Sequence, residues 1–145
     1  MILEAKTETE LKRIGAILAA SFKGGEVVQL IGDVGAGKTT FTKGLALGLS
    51  VKGDVQSPSF TISRVYDARD GLQLAHYDFY RLQDPGILTA ELQEVVHDPT
   101  TITVIEWADI VEGVLPDTHI SISFAAPSET TRTVTLPDSY KELFA

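Results

Sequence analysis

Residues 27 to 39 read Val27-Val28-Gln29-Leu30-Ile31-Gly32-Asp33-Val34-Gly35-Ala36-Gly37-Lys38-Thr39, an apolar, β-branched run that gives way to a glycine-rich turn ending in Lys-Thr. The turn matches G-x-x-x-x-G-K-[ST], the phosphate-binding P-loop. Glycines at 32, 35 and 37 let the backbone curl until several N–H groups point inward, and the helix that follows presents its positive end to the same point. Gly35, Ala36, Gly37 and Thr40 are therefore expected to line a phosphate cradle. Lys38 is expected to reach the β and γ phosphates, and the Thr39 hydroxyl to ligate Mg²⁺. The flanks agree with the motif, because a strand precedes it and Phe41, Leu45 and Leu49 form an i, i+4, i+8 helical stripe after it.

Working outward toward the N-terminus, Lys23-Gly24-Gly25 closes a segment in which Leu11, Ile14, Leu18 and Phe22 share one helical face. Thr7 and Glu10 have the T-x-x-E spacing of a capping box at its start, and residues 2 to 5 read as a short first strand. Working the other way, Gly48 and Gly53 bracket a loop leading to Ser57-Pro58-Ser59-Phe60-Thr61, where Pro58 is incompatible with a regular central strand. This stretch is placed like a switch segment that contacts the γ-phosphate only in the triphosphate state. Residues 61 to 66 and 72 to 80 read as two arms of a β-hairpin around Asp70-Gly71. Strand alternation puts His76, Asp78 and Tyr80 on one face, and Tyr77, Phe79 and Arg81 on the other.

Asp84-Pro85 reads as a helix start, with Leu88, Leu92, Val95 and Val96 as its apolar stripe and its end near His97. Thr101-Ile102-Thr103-Val104-Ile105-Glu106-Trp107 follows, an apolar strand ending in a carboxylate. That is the pattern of a Walker B strand, which lies beside the P-loop strand and holds Mg²⁺ or its waters. Residues 119 to 124 and 131 to 136 both alternate and suggest a terminal antiparallel pair, with a short helix from Pro137. The fold class is α/β: a P-loop NTPase fold with a mainly parallel sheet, flanking helices and antiparallel strand additions.

A length of 145 residues suits a single domain. No apolar run approaches the roughly 18 residues of a membrane span, and the N-terminus lacks the basic and apolar regions of a secretory signal. The absence of Cys excludes disulfides, thiolate metal sites and cysteine nucleophiles, and fits the cytoplasm. A net charge of −8 with twelve scattered basic residues argues against direct nucleic-acid binding by the chain alone. An acidic surface that keeps a small protein soluble accounts for the charge equally well.

The chain contains no Asn, so the N-K-x-D element common in guanine-specific P-loop proteins is missing and adenine becomes the default base. Five arginines leave little for the arginine-rich lid of a small-molecule kinase. Phosphoryl transfer is mainly positioning and charge neutralisation, so the minimal set is the P-loop, Mg²⁺ and a group that orients water. Lys38, Asp78 and Glu106 are the catalytic candidates, Asp78 having an ion pair with Arg64 or Arg81 as its structural alternative. Metal-ligand spacing among His76, His97 and His119 is absent, which favours a hydrogen-bonded strand role for His76. Trp107 either packs near the nucleotide or caps the core.

Taken together, Gly32 to Phe41, Ser57 to Thr61, His76-Tyr77-Asp78-Phe79-Tyr80-Arg81-Leu82 and Ile105-Glu106-Trp107 resemble the TsaE (YjeE) family in order and spacing. The resemblance spans most of the chain, with Glu106-Trp107-Ala108-Asp109 standing where members often read Glu-Trp-Pro-Glu. It implies a slow Mg²⁺-dependent ATPase of bacterial tRNA threonylcarbamoyladenosine synthesis, cycling between ATP and ADP. Lys38 and Thr39 would serve ATP and Mg²⁺, Glu106 would be the Walker B carboxylate, and Asp78 would belong to a second element needed for hydrolysis. Arg132 would match a nucleotide-contacting arginine. It further implies that the partners are TsaD and TsaB, the pair that modifies tRNA, rather than tRNA itself.

Overall fold

In the computed structural model the described residues are all of 1–145 except Ser57, Ser59, Phe60, Thr61, Arg81, Gln83 and Pro85, and except the side chains of Ile110 and Glu112. The switch-like stretch and the expected position of Arg81 thus lie outside the described residues. The elements run β1 (Ile2–Ala5), α1 (Glu8–Ala20), β2 (Val27–Ile31), α2 (Lys38–Gly48), β3 (Ser63–Asp67), β4 (Gln73–Asp78), α3 (Leu88–Val96), β5 (Thr101–Glu106), β6 (Ile120–Ala125) and β7 (Arg132–Thr135). Single-sheet order is β1-β7-β6-β2-β5-β4-β3. The centre is parallel, β2 pairing with both β5 and β6, and β5 with β4. Antiparallel pairs close both flanks, β3 on β4 at one edge and β6–β7–β1 at the other.

Two apolar layers sandwich the sheet. Leu11 and Leu18 of α1, Phe41 and Leu45 of α2 and the α2 C-cap Leu49 pack on Val28, Leu30, Leu74, Ile102, Val104 and Ile122. On the other face Leu92 and Val96 of α3 pack with Val27, Ala75, Tyr77, Phe79 and Ile105. This period-2 alternation sends His76 and Glu106 to the same face as Leu74 and Val104, toward α2. The helix stripes read from sequence are buried here, apart from Leu88 and Val95 of α3, which are half-buried against the core.

Local signals account for most element ends. Thr7 Oγ1 accepts the Glu10 N–H at 3.1 Å and starts α1. The start of α3 falls at Leu88, later than Asp84-Pro85: Asp84 Oδ1 accepts the Gly86 N–H at 3.0 Å and Gly86 has φ +50, so a turn is closed before the helix begins. Gly48, read as a loop boundary, is the last residue of α2. It permits close helix contact, as does Gly44, where a Cβ would lie 2.2 Å from the Lys12 carbonyl oxygen of α1. The pair at 119–124 and 131–136 is antiparallel as expected, but β6 also joins the parallel centre beside β2.

Candidate functional site

The carboxyl ends of β2, β5 and β4 lie side by side, with Leu30 in register with Glu106 and Glu106 with Asp78. In open α/β sheets this edge is where ligands bind. Between β2 and α2 the loop turns at Gly35 (φ +83) and Gly37 (φ +107), and Gly37 is the N-cap of α2 without any side-chain cap. The first N–H groups of α2 therefore have no side-chain acceptor of their own and face outward with the helix dipole. A cleft of about 580 Å³ opens here, within the range of small-ligand sites. Gly35, Gly37, Lys38, Thr39, Thr40, Asp78, Glu106 and Arg132 all line it, with Trp107 and Tyr80; Ala36 is buried behind the loop.

Lys38 is 5 % exposed, and its Nζ donates to the Gly32 carbonyl at 2.6 Å. The same ammonium lies 4.0 Å from Glu106 Oε1 and 3.9 Å from the centre of the Trp107 ring. Burial lowers the Lys38 pKa below its usual value, opposed by the negative charges of Glu106, Asp78 and Asp33. An ammonium with one protein acceptor is suited to accept an anion as its further partner.

Glu106 is 3 % exposed and takes a contact from His76 Nε2 at 2.7 Å on its Oε2. Asp78, half-buried at the end of β4, accepts the Tyr80 N–H at 3.0 Å on Oδ1. Burial raises its pKa, the Tyr80 N–H opposes, and the Glu106 charge adds to the rise. The Arg64 ion pair weighed for Asp78 is not formed, and Asp78 has no salt bridge among the described residues. Trp107 stands at φ +57, stacks on Tyr80 with centroids 4.8 Å apart, and does both things weighed for it, lining the cleft while packing on the core cluster of Tyr77, Phe79 and Ile105.

Arg132 lines the cleft beside Lys6, Thr7, Leu11, Glu129 and Thr130, while its Nη1 donates to the carbonyls of Ser128, Glu129 and Thr131. Of this α1-side wall the sequence reading had Arg132 alone, and it missed Lys6, Thr7, Leu11, Glu129 and Thr130 as lining residues. It also missed Arg69, whose Nη2 donates to Ala19, Ala20 and Phe22 carbonyls and whose Nε donates to Gly48. A basic residue at a turn carries no mark of which distant helix ends it will meet.

The family described as "Threonylcarbamoyl adenosine biosynthesis protein TsaE" matches residues 5–134. The chain belongs to the TsaE family. It is 41% identical over 127 residues to the tRNA threonylcarbamoyladenosine biosynthesis protein TsaE of Bacillus subtilis, covering 87% of this chain and 78% of that protein. With the protein of the same name from Treponema pallidum it shares 36% identity over 133 residues, 91% of this chain and 96% of that one. The crystal structure of Bacillus subtilis YdiB superposes with a TM-score of 0.77 at 34% identity, covering 99% of this chain and 90% of that chain. As a TsaE family member with a P-loop fold, the chain is placed in tRNA threonylcarbamoyladenosine biosynthesis. Among the described residues no helix is long and apolar enough to cross a membrane.

Proposed function

We propose that the chain binds ATP with Mg²⁺, hydrolyses it slowly to ADP and phosphate, and uses the cycle as a switch on the TsaD–TsaB pair in the cytoplasm. One observation carries the reading: the buried Lys38 ammonium sits between a glycine cradle and two carboxylates, Asp78 and Glu106, in one cleft. Fit for a metal is tested by the donor set, which pairs the Thr39 hydroxyl with a buried carboxylate whose Oε1 is turned to the cleft. Thr39 and Glu106 would hold Mg²⁺, which supplies charge neutralisation on the phosphate oxygens.

The chain's own groups do the rest. Gly35, Gly37, Thr39 and Thr40 would offer backbone N–H groups to phosphate, Ala36 would do so on leaving the Asp33 carbonyl to which its N–H donates at 3.1 Å, and Lys38 would exchange the Gly32 carbonyl for phosphate oxygen. Asp78, held by the Tyr80 N–H on one oxygen, keeps the other to orient a water. Arg132, with Thr7 and Leu11, is assigned to the nucleoside end of the cleft. Its Nη1 donates to carbonyls of its own loop, so it is not free to act as an arginine finger, which supports slow intrinsic turnover.

Titration of Trp107, the chain's single Trp, with ATP, ADP and GTP in Mg²⁺ tests the base and the site. Adenine nucleotides are expected to change its emission and GTP to do so only at much higher concentration. Equal response to GTP overturns the base assignment. Hydrolysis is expected to be slow alone and altered by TsaD–TsaB; a Glu106→Gln chain that binds nucleotide is expected to lose pathway function, and full pathway function with hydrolysis lost would leave only a nucleotide-sensing module.

A further inference from the structure

His76 is the one histidine that is fully buried, and it stands two residues before Asp78 on β4, in register with Val104 of β5. Its Nε2 is 2.7 Å from Glu106 Oε2, while Nδ1 has no hydrogen-bond partner among the described residues. A carboxylate only accepts, so the proton of this bond sits on Nε2. Nε2 therefore makes the one side-chain hydrogen bond of the ring among the described residues.

A residue chosen only to fill this place would be apolar. Its strand neighbours Leu74, Ala75 and Tyr77 are buried and apolar or aromatic, and a leucine would remove the orphaned Nδ1 but leave the buried Glu106 Oε2 without its donor. What the imidazole adds is orientation. A glutamate's terminal torsion is broad. The bond to Oε2 selects one setting of it, and in that setting Oε1 is the oxygen directed at Lys38 Nζ, 4.0 Å away.

We infer that His76 is a positioning residue: through its Nε2–H it locks the Glu106 carboxylate so that one oxygen alone, Oε1, is presented to the metal side of the cleft. This rests on the assignment of Glu106 to Mg²⁺ above. Groups that orient a metal-binding carboxylate commonly set metal affinity more than nucleotide affinity.

The test uses the full chain with ADP, following Trp107 emission as MgCl₂ is added, alongside melting of the nucleotide-free protein. His76→Leu is expected to raise the Mg²⁺ needed for half-saturation by roughly 10–100-fold, leaving ADP binding in chelator unchanged. His76→Gln, whose amide N–H replaces the Nε2 donor, is expected to stay within about threefold of the unaltered chain. In a Glu106→Gln background His76→Leu is expected to add nothing further, because it acts through Glu106. A folded His76→Leu chain with an unaltered Mg²⁺ requirement, while Glu106→Gln shifts it, overturns the inference alone. Glu106→Gln with no shift overturns both the inference and the metal assignment. Should His76→Leu fail to fold, His76→Gln against His76→Asn makes the same comparison, since the Asn amide reaches only the Nδ1 position; equal Mg²⁺ requirements for the two overturn the inference.

Discussion

The loop wall of the cleft comes from consecutive residues, Gly32 to Thr40, whereas the carboxylate wall is assembled from separate strands, His76 and Glu106 being 30 residues apart. The first is backbone chemistry, with glycine φ values of +83 and +107 and an uncapped helix start. The second is side-chain chemistry, with a buried His–Glu contact and a half-buried aspartate. Phosphate recognition by N–H groups needs only a local shape. Carboxylates that can hold a metal or turn a water must be delivered and oriented by neighbours. Lys38 belongs to the first wall and is held by both, through Gly32 on one side and Glu106 and Trp107 on the other.

Breaking that join should have the largest effect. Lys38→Met removes charge-assisted bonds worth about 1.5–3 kcal/mol each, so ATP affinity is expected to fall by roughly 100-fold or more. An affinity kept within a few-fold by calorimetric titration would mean that the loop N–H groups suffice and the walls act separately.

The walls are also bolted together behind the site. Arg69, on the β3–β4 turn, donates to carbonyls at the ends of both α1 and α2. Arg69→Ala leaves those carbonyls without a cation at two helix C-termini and is expected to lower unfolding free energy by about 2 kcal/mol. Urea denaturation checks this, and an unchanged midpoint would show the carboxylate strands to be held by sheet pairing alone.

The smallest effect concerns Asp78. Burial raises its pKa, so the folded state favours the protonated form and carries a penalty once the group ionises. That penalty is absent at pH below the usual carboxylate value and complete above the raised one. Asp78→Asn is therefore expected to raise the melting temperature of the nucleotide-free protein at neutral pH, by a margin that vanishes in acid, while slowing hydrolysis. A lower melting temperature at neutral pH would mark Asp78 as a structural carboxylate.

Local patterns were legible wherever a few adjacent residues settle the conformation. Thr7 as N-cap, the stripe of Phe41, Leu45 and Leu49, and the carboxylate at the end of β5 are all found where they were expected. Alternation put His76, Asp78 and Tyr80 together, and Asp78 and Tyr80 both reach the cleft. The α3 start was misread because Asp84 closes a turn instead of a helix, a choice made by the Gly86 backbone. Arg69, the Arg132 brace and the orphaned His76 nitrogen had no local signal, since each depends on which strand or helix end lies opposite.

The sequence by itself determined the phosphate loop, the period of every strand and helix, and the presence of a carboxylate at the end of β5, because these follow from contacts within a few residues. Only the tertiary structure decided that β2 lies between β5 and β6, that Glu106 meets His76 and Lys38, and that Trp107 covers the ammonium. Strand order and register are set by how whole apolar faces bury against one another, and residues far apart in the chain acquire their shared chemistry only after that burial.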